Sequence, residues 1–204
     1  MEMFSRSALL TIDVQQDFIA GSATISGTAE CVPAMSRVAE AFRVTGRPII
    51  HVVRLYLPDG SNAEAVRRSA VTSASIVRPG TRGSQVAPEL LPPRAPALDP
   101  EVLLSGRLQQ IGPTEWFMYK PRWGAFYGTA LENHLRGLEI EDVVFVGCNF
   151  PNCPRTSLYE AGERDFGTIL ISDAVSGVYQ RGLDEITSIG ATVLTSDEAV
   201  AGFT

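Results

Sequence analysis

The chain has 204 residues, 45% of them hydrophobic, and a net charge of −6; that length suits one domain with a sizeable core or two small ones, the acidic balance argues against nucleic acid as a partner, and no apolar run is long enough to cross a bilayer. The cysteines number only three, Cys31, Cys148 and Cys153, and the stretch from Met1 to Ser7 lacks the layout of a secretory signal, so a reducing, cytoplasmic compartment is expected rather than a disulfide framework. The two histidines, His51 and His134, stand in no metal-ligand spacing, so neither a metal nor any other cofactor is expected.

Ser7 to Ile12 is an unbroken apolar run that predicts a first buried strand. From Glu30 to Thr45, Val32, Met35, Val38, Ala39 and Phe42 fall on one stripe, which predicts a helix. Pro48 to Leu55 reads as a second strand. The stretch from Tyr56 to Gly112 is rich in Pro, Gly and Arg and holds short helical pieces such as Asn62 to Ser69. An insertion of that size is expected to be a lid, part of a subunit interface, or surface decoration. Trp116 to Tyr119 is a third strand, followed by a helix over Ala125 to Arg136. Val143 to Gly147 is a fourth, followed by a helix opening at Pro154, which suits a first helical position. Thr168 to Ser172 is a fifth, with a helix from about Leu183 to Ile189 behind it. Thr192 to Thr195 is a sixth, and Asp197 to Ala201 a short closing helix. Strands that alternate with helices and carry continuous apolar runs indicate a parallel sheet covered on both faces. The expected fold is α/β: a three-layer α/β/α sandwich on a six-stranded, mainly parallel sheet, one domain over 1–204 with an insertion at about 56–112.

Ligands of open parallel sheets bind beyond the carboxyl ends of the strands. Three reactive side chains fall there: Asp13 after the first strand, Lys120 after the third and Cys153 after the fourth. Each alone has an ordinary reading: a turn-forming carboxylate, a solvated lysine, a small buried hydrophobe. Together they suit one chemistry. Asp13 serves as general base for the thiol. Lys120 orients that carboxylate, and its charge, with the helix N-terminus, lowers the Cys153 pKa. Cys153 attacks a carbonyl to form a thioester, and the link from Asn149 to Cys153 is the natural source of N–H donors for the oxyanion.

These segments resemble the isochorismatase-like cysteine hydrolases, a superfamily that includes nicotinamidase, N-carbamoylsarcosine amidohydrolase, ureidoacrylate amidohydrolase and isochorismatase. Thr11-Ile12-Asp13-Val14-Gln15-Gln16-Asp17-Phe18 is similar to the motif with the catalytic aspartate. Lys120-Pro121-Arg122-Trp123-Gly124-Ala125-Phe126 is similar to the motif with the lysine, and Gly147 to Cys153 has the family spacing up to the nucleophile. Asp173-Ala174 after the fifth strand also fits. The resemblance implies a triad of Asp13, Lys120 and Cys153, a cis peptide between Cys148 and Asn149, and an oxyanion hole from the N–H groups of Asn149 and Cys153. It implies a homo-oligomer, dimer or tetramer. The second strand, Ile49-Ile50-His51-Val52-Val53-Arg54-Leu55, is not followed by the histidine cluster with which nicotinamidases hold a metal, so metal-free catalysis is expected. Cys153 argues for hydrolysis of a C–N bond in a small amide or ureido compound. The alternatives are vinyl-ether hydrolysis, as in isochorismatases proper that lack the cysteine, and a non-catalytic binding module on the same fold.

Phe18, Trp123, Tyr127 and Phe150 are candidates to wall the substrate pocket; Phe126 is as readily core. Arg54, at the end of the second strand, could meet a substrate carboxylate or form a structural ion pair, for instance with Asp17. Cys148 and Cys31 read as structural.

Overall fold

The computed structural model describes residues 4–203; the part of the leader reading that concerns residues 1–3 lies outside them. Its strands are β1 (Ser7–Ile12), β2 (Ile49–Val53), β3 (Gln109–Gly112), β4 (Glu115–Tyr119), β5 (Asp142–Gly147), β6 (Gly167–Val175) and β7 (Thr192–Leu194). Its α-helices are α1 (Gln16–Ile19), α2 (Thr28–Val44), α3 (Arg68–Ser73), α4 (Pro100–Leu104), α5 (Leu131–Gly137), α6 (Cys153–Gly162), α7 (Gln180–Ser188) and α8 (Ser196–Ala201). The strands form one sheet in the order β3-β4-β2-β1-β5-β6-β7. Every neighbouring pair is parallel except β3 with β4.

All six residues of β1 are buried because it lies between β2 and β5 with helices on both faces. Leu9 packs with Met35, Val38 and Phe42 of α2 and Ala199 of α8. Ala8, Leu10 and Ile12 face the other layer, where Leu135 of α5, Leu158 of α6 and Ile186 of α7 pack. The period-two alternation of a strand thus divides the apolar residues between two cores, giving three layers.

The sheet has seven strands rather than six. The added strand, β3, lies in the insertion, is only partly buried, and pairs with one edge of β4 through a register shift. An antiparallel edge strand needs no continuous apolar run, so Gln109-Gln110-Ile111-Gly112 gives little signal. The helix expected from Ala125 begins only at Leu131. The Ala125 N–H donates to Ser157 Oγ at 3.0 Å and the Phe126 N–H to Glu160 Oε2 at 2.9 Å, so two side chains of α6 tether the segment that precedes the helix. In the insertion, the expected helix over Asn62 to Ser69 is instead a 3-10 turn at Ala65–Arg67 leading into α3.

β1 is where the chain order of the sheet reverses, with β2 on one side and β5 on the other. The crevice beyond the carboxyl ends at such a reversal is the preferred ligand site of open α/β sheets. Closing it requires Gly147: with φ of +130°, a Cβ there would lie 2.2 Å from the Ile12 carbonyl oxygen.

Candidate active site

Asp13 takes the first position past β1. Its N–H donates to the Val52 carbonyl at 2.9 Å, extending the ladder to the rim. Its φ is +55°, a left-handed conformation that L residues rarely adopt and that clusters at functional sites. The Cys148 thiol donates to the Asp13 carbonyl at 3.0 Å, which gives that buried cysteine a structural role.

Lys120 takes the equivalent position past β4, with its N–H on the Val53 carbonyl at 3.0 Å. Its side chain is wholly buried, and Nζ lies 2.9 Å from Asp13 Oδ2. Burial works against the ammonium, but the Asp13 carboxylate outweighs it and lifts the Lys120 pKa above its ordinary value. The other carboxylate oxygen, Asp13 Oδ1, is buried and accepts no hydrogen bond.

Cys153 is the first residue of α6 and is half-buried. Its thiol is pushed from an ordinary 9.0 up to about 12, first by burial and then by the Asp13 carboxylate, with the Lys120 ammonium opposing. This corrects the expectation of a depressed thiol. A thiolate would be a second anion beside Asp13, and neither the helix terminus nor Lys120 offsets burial and that repulsion together.

The link between β5 and α6 is pinned at several points. The Phe150 N–H donates to the Ser176 carbonyl at 2.8 Å, the Ser176 N–H to the Gly147 carbonyl at 3.1 Å, and the Asn152 N–H to the Asn149 carbonyl at 3.0 Å. The Cys148–Asn149 peptide is cis, the arrangement the resemblance implies. Among the described residues, no acceptor takes the N–H of Asn149 or of Cys153.

These groups open onto a cavity of about 160 Å³, which Asp13, Asn149, Asn152 and Cys153 line together. That is small beside the roughly 300–1,000 Å³ of drug-sized ligand pockets. Phe18 and Trp123 stand in its wall. Arg54 does too, but its guanidinium is engaged: Nη2 meets both Glu64 oxygens at 3.0 and 2.9 Å, and Nη1 donates to the Lys120 carbonyl at 3.1 Å. The Arg54 charge is therefore paired with Glu64, not with Asp17. The Asp17 carboxylate instead accepts the Val77 N–H at 2.7 Å and the Ser22 N–H at 3.3 Å. Two expected wall residues stand elsewhere. Tyr127 is 59% exposed on the outer surface beside Trp123 and Glu160. Phe150 is fully buried and meets Tyr179 edge-on, ring centres 5.6 Å apart. Phe126 is core, tilted against Phe166. Asp173 lies within β6 and accepts from the Ser196 N–H and hydroxyl at the start of α8.

The sequence reading missed Ile25, Tyr56 and Arg67, which also line the cavity. The first lies in the loop before α2 and the others in the insertion, where no local pattern reveals what the chain folds against. Among the described residues, no three His, Cys, Asp or Glu side chains form a group that could hold a metal ion.

A family model described as the isochorismatase domain matches residues 7–198. A probable inactive nicotinamidase of Arabidopsis thaliana is 27% identical over 206 residues, covering 97% of this chain and 96% of the relative. The crystal structure of N-carbamoylsarcosine amidase from Thermoplasma acidophilum superposes with a TM-score of 0.75 at 26% identity, covering 94% of this chain and 97% of that one. An isochorismatase family protein from Desulfovibrio vulgaris gives 0.80 at 26% identity, covering 96% and 98%.

Proposed function

The chain belongs to the isochorismatase family, and from that premise we propose that it is a cysteine amidohydrolase cleaving the C–N bond of a small amide or ureido compound through a thioester on Cys153. The observation that carries this reading is the state of Asp13. Lys120 holds Oδ2 at 2.9 Å, while Oδ1 is buried without a donor in the wall of the cavity that Cys153 also lines. A buried acceptor without a partner is costly at rest and suits a group that receives a proton during reaction.

In this reading the thiol proton passes to Asp13 Oδ1 as Sγ bonds to the carbonyl carbon. The oxyanion receives the N–H groups of Asn149 and Cys153, which have no acceptor within the protein. Asp13 then returns the proton to the departing nitrogen, ammonia leaves, and an acyl-enzyme stays on Cys153 (a carbamoyl thioester where the substrate is a ureido compound). Water, giving its proton to Asp13, hydrolyses the thioester, releasing a carboxylic acid or a carbamate and restoring the thiol. Lys120 keeps Asp13 in place and balances its charge throughout. The Arabidopsis relative described as inactive is a reason to test chemistry directly. Vinyl-ether cleavage would form no acyl-enzyme.

The test is intact-mass spectrometry of the protein with a panel of small amides and ureido acids, comparing wild type with Cys153→Ala. An acyl adduct that needs Cys153, with ammonia released, is the expected result. Ammonia released equally by Cys153→Ala overturns the thioester route.

A further inference from the structure

We infer that the substrate carries a carboxylate and that Arg67 reads it; this rests on taking the cavity as the substrate site of the amidohydrolase. Two cations line that cavity, Arg54 and Arg67, and a third, the buried Lys120, is held by the lining Asp13. Two are matched, Lys120 by Asp13 at 2.9 Å and Arg54 by Glu64 at 2.9 Å. Arg67, half-buried in the wall, forms no ion pair or side-chain hydrogen bond among the described residues. Arg54 in addition keeps a buried Nε–H with no acceptor. The site therefore holds one positive charge and more N–H donors than its own carboxylates satisfy.

The placement of Arg67 is built in. It ends the 3-10 turn Ala65–Arg67, and the residues before that turn are clamped to the strand ends. Glu64 is held by the Arg54 pair. Asn62 Oδ1 accepts the Leu57 N–H at 3.0 Å, and Asn62 Nδ2 donates to the Leu55 carbonyl at 2.7 Å and the Tyr119 hydroxyl at 2.9 Å. A half-buried arginine carried by a clamped turn into the wall of a small cavity, with Phe18, Ile25, Tyr56 and Trp123 as its apolar neighbours, attracts an anion more strongly than a solvated arginine does. The substrate class is a short acid bearing an amide or ureido group, its reacting end toward Cys153 and its carboxylate toward Arg67.

The experiment measures binding to Cys153→Ala protein by titration calorimetry. The probes are succinamate and 3-ureidopropionate, each against a neutral counterpart in which isopropyl replaces the carboxylate, 4-methylpentanamide and isopentylurea. At least one acid is expected to bind about ten- to hundredfold more tightly than its counterpart, the range for a hydrogen bond to a charged group. Arg67→Gln, added to the same protein, should erase that ratio and Arg67→Lys keep part of it, with the thermal midpoint unchanged in both. No acid binding, a ratio of one or less, or a ratio that survives Arg67→Gln overturns the inference. Because binding is read without the thiol, failures separate. Acids held through Arg67 with no acyl adduct on wild type would sink the hydrolase reading alone. Adducts from neutral amides with no preference for acids would sink this one alone.

Discussion

A carboxylate and an ammonium 2.9 Å apart decide how the neighbouring thiol can behave. With its pKa at about 12, Cys153 is a neutral thiol across the neutral range, and its nucleophile arises only as the proton moves to Asp13. The alternative, a standing thiolate, would be open to any electrophile or oxidant that entered the cavity. Alkylation by iodoacetamide reads this directly. At pH 8 about one molecule in ten thousand carries the thiolate, against about one in ten for a thiol of ordinary pKa. Alkylation of Cys153 should then be about a thousandfold slower than that of a free cysteine peptide, rising about tenfold per pH unit. Asp13→Asn removes the second cause of the upward shift and leaves Lys120 opposing burial, so that variant should alkylate faster even as it loses hydrolysis. Peptide-level mass spectrometry keeps Cys31 and Cys148 separate. Wild-type Cys153 reacting at the rate of a free thiol at pH 8 would sink this account.

Strand ends position the site, so the elements must close tightly where β1 meets β5. Gly147→Ala would drive a Cβ to 2.2 Å from the Ile12 carbonyl oxygen at a φ of +130°; a loss of at least about 3 kcal/mol in urea denaturation is expected, or failure to fold. Gly137→Ala, with nothing within 4 Å of the new Cβ at the end of α5, is the control and should stay within about 1 kcal/mol of wild type. Equal midpoints for the two variants would refute the packing argument. The same closeness explains what could be read from sequence. Ser7 to Ile12 matches β1 residue for residue, because a doubly covered strand must be apolar throughout, and the residue after each such run lands at the carboxyl edge by geometry alone. Ala125 to Ala130 departs from the expected helix, and Ser157 and Glu160, about thirty residues away in sequence, tether its Ala125 and Phe126 N–H groups, a contact that no local pattern reveals. Arg67 was invisible for a similar reason: the Arg54–Glu64 pair and the hydrogen bonds of Asn62 to Leu55 and Tyr119 bring its turn to the cavity, and nothing local in Asn62 to Ser69 encodes those partners.

Across the whole molecule, the buried groups that serve the site also shape stability against pH. Cys153 and Cys148 both have folded pKa values above the ordinary 9.0. Above pH 9 the unfolded chain gives up these protons while the folded chain keeps them, so the folded state binds more protons and stability falls as pH rises. Each thiol contributes a slope of about 1.4 kcal/mol per pH unit up to its folded pKa. Lys120, also raised, adds to the fall above its own ordinary range. His51 bounds the other side. It is fully buried between Thr11 and Glu115 at 2.7 Å from each, and its pKa is lowered. Below about pH 6.5 the unfolded chain takes up a proton that the folded chain refuses, so stability falls with pH there. The optimum should lie between these limits, from about 6.5 to 9. Urea denaturation from pH 5 to 10.5 tests this, and Cys153→Ala isolates one contribution. Between pH 9 and 10.5 wild type should lose about 2 kcal/mol that the variant does not. Parallel curves for the two proteins across that interval would mean that the folded thiol titrates like a free one. Burial and the Asp13 carboxylate would then not hold the Cys153 proton beyond its ordinary range, and the thousandfold suppression of the standing thiolate would lose its basis.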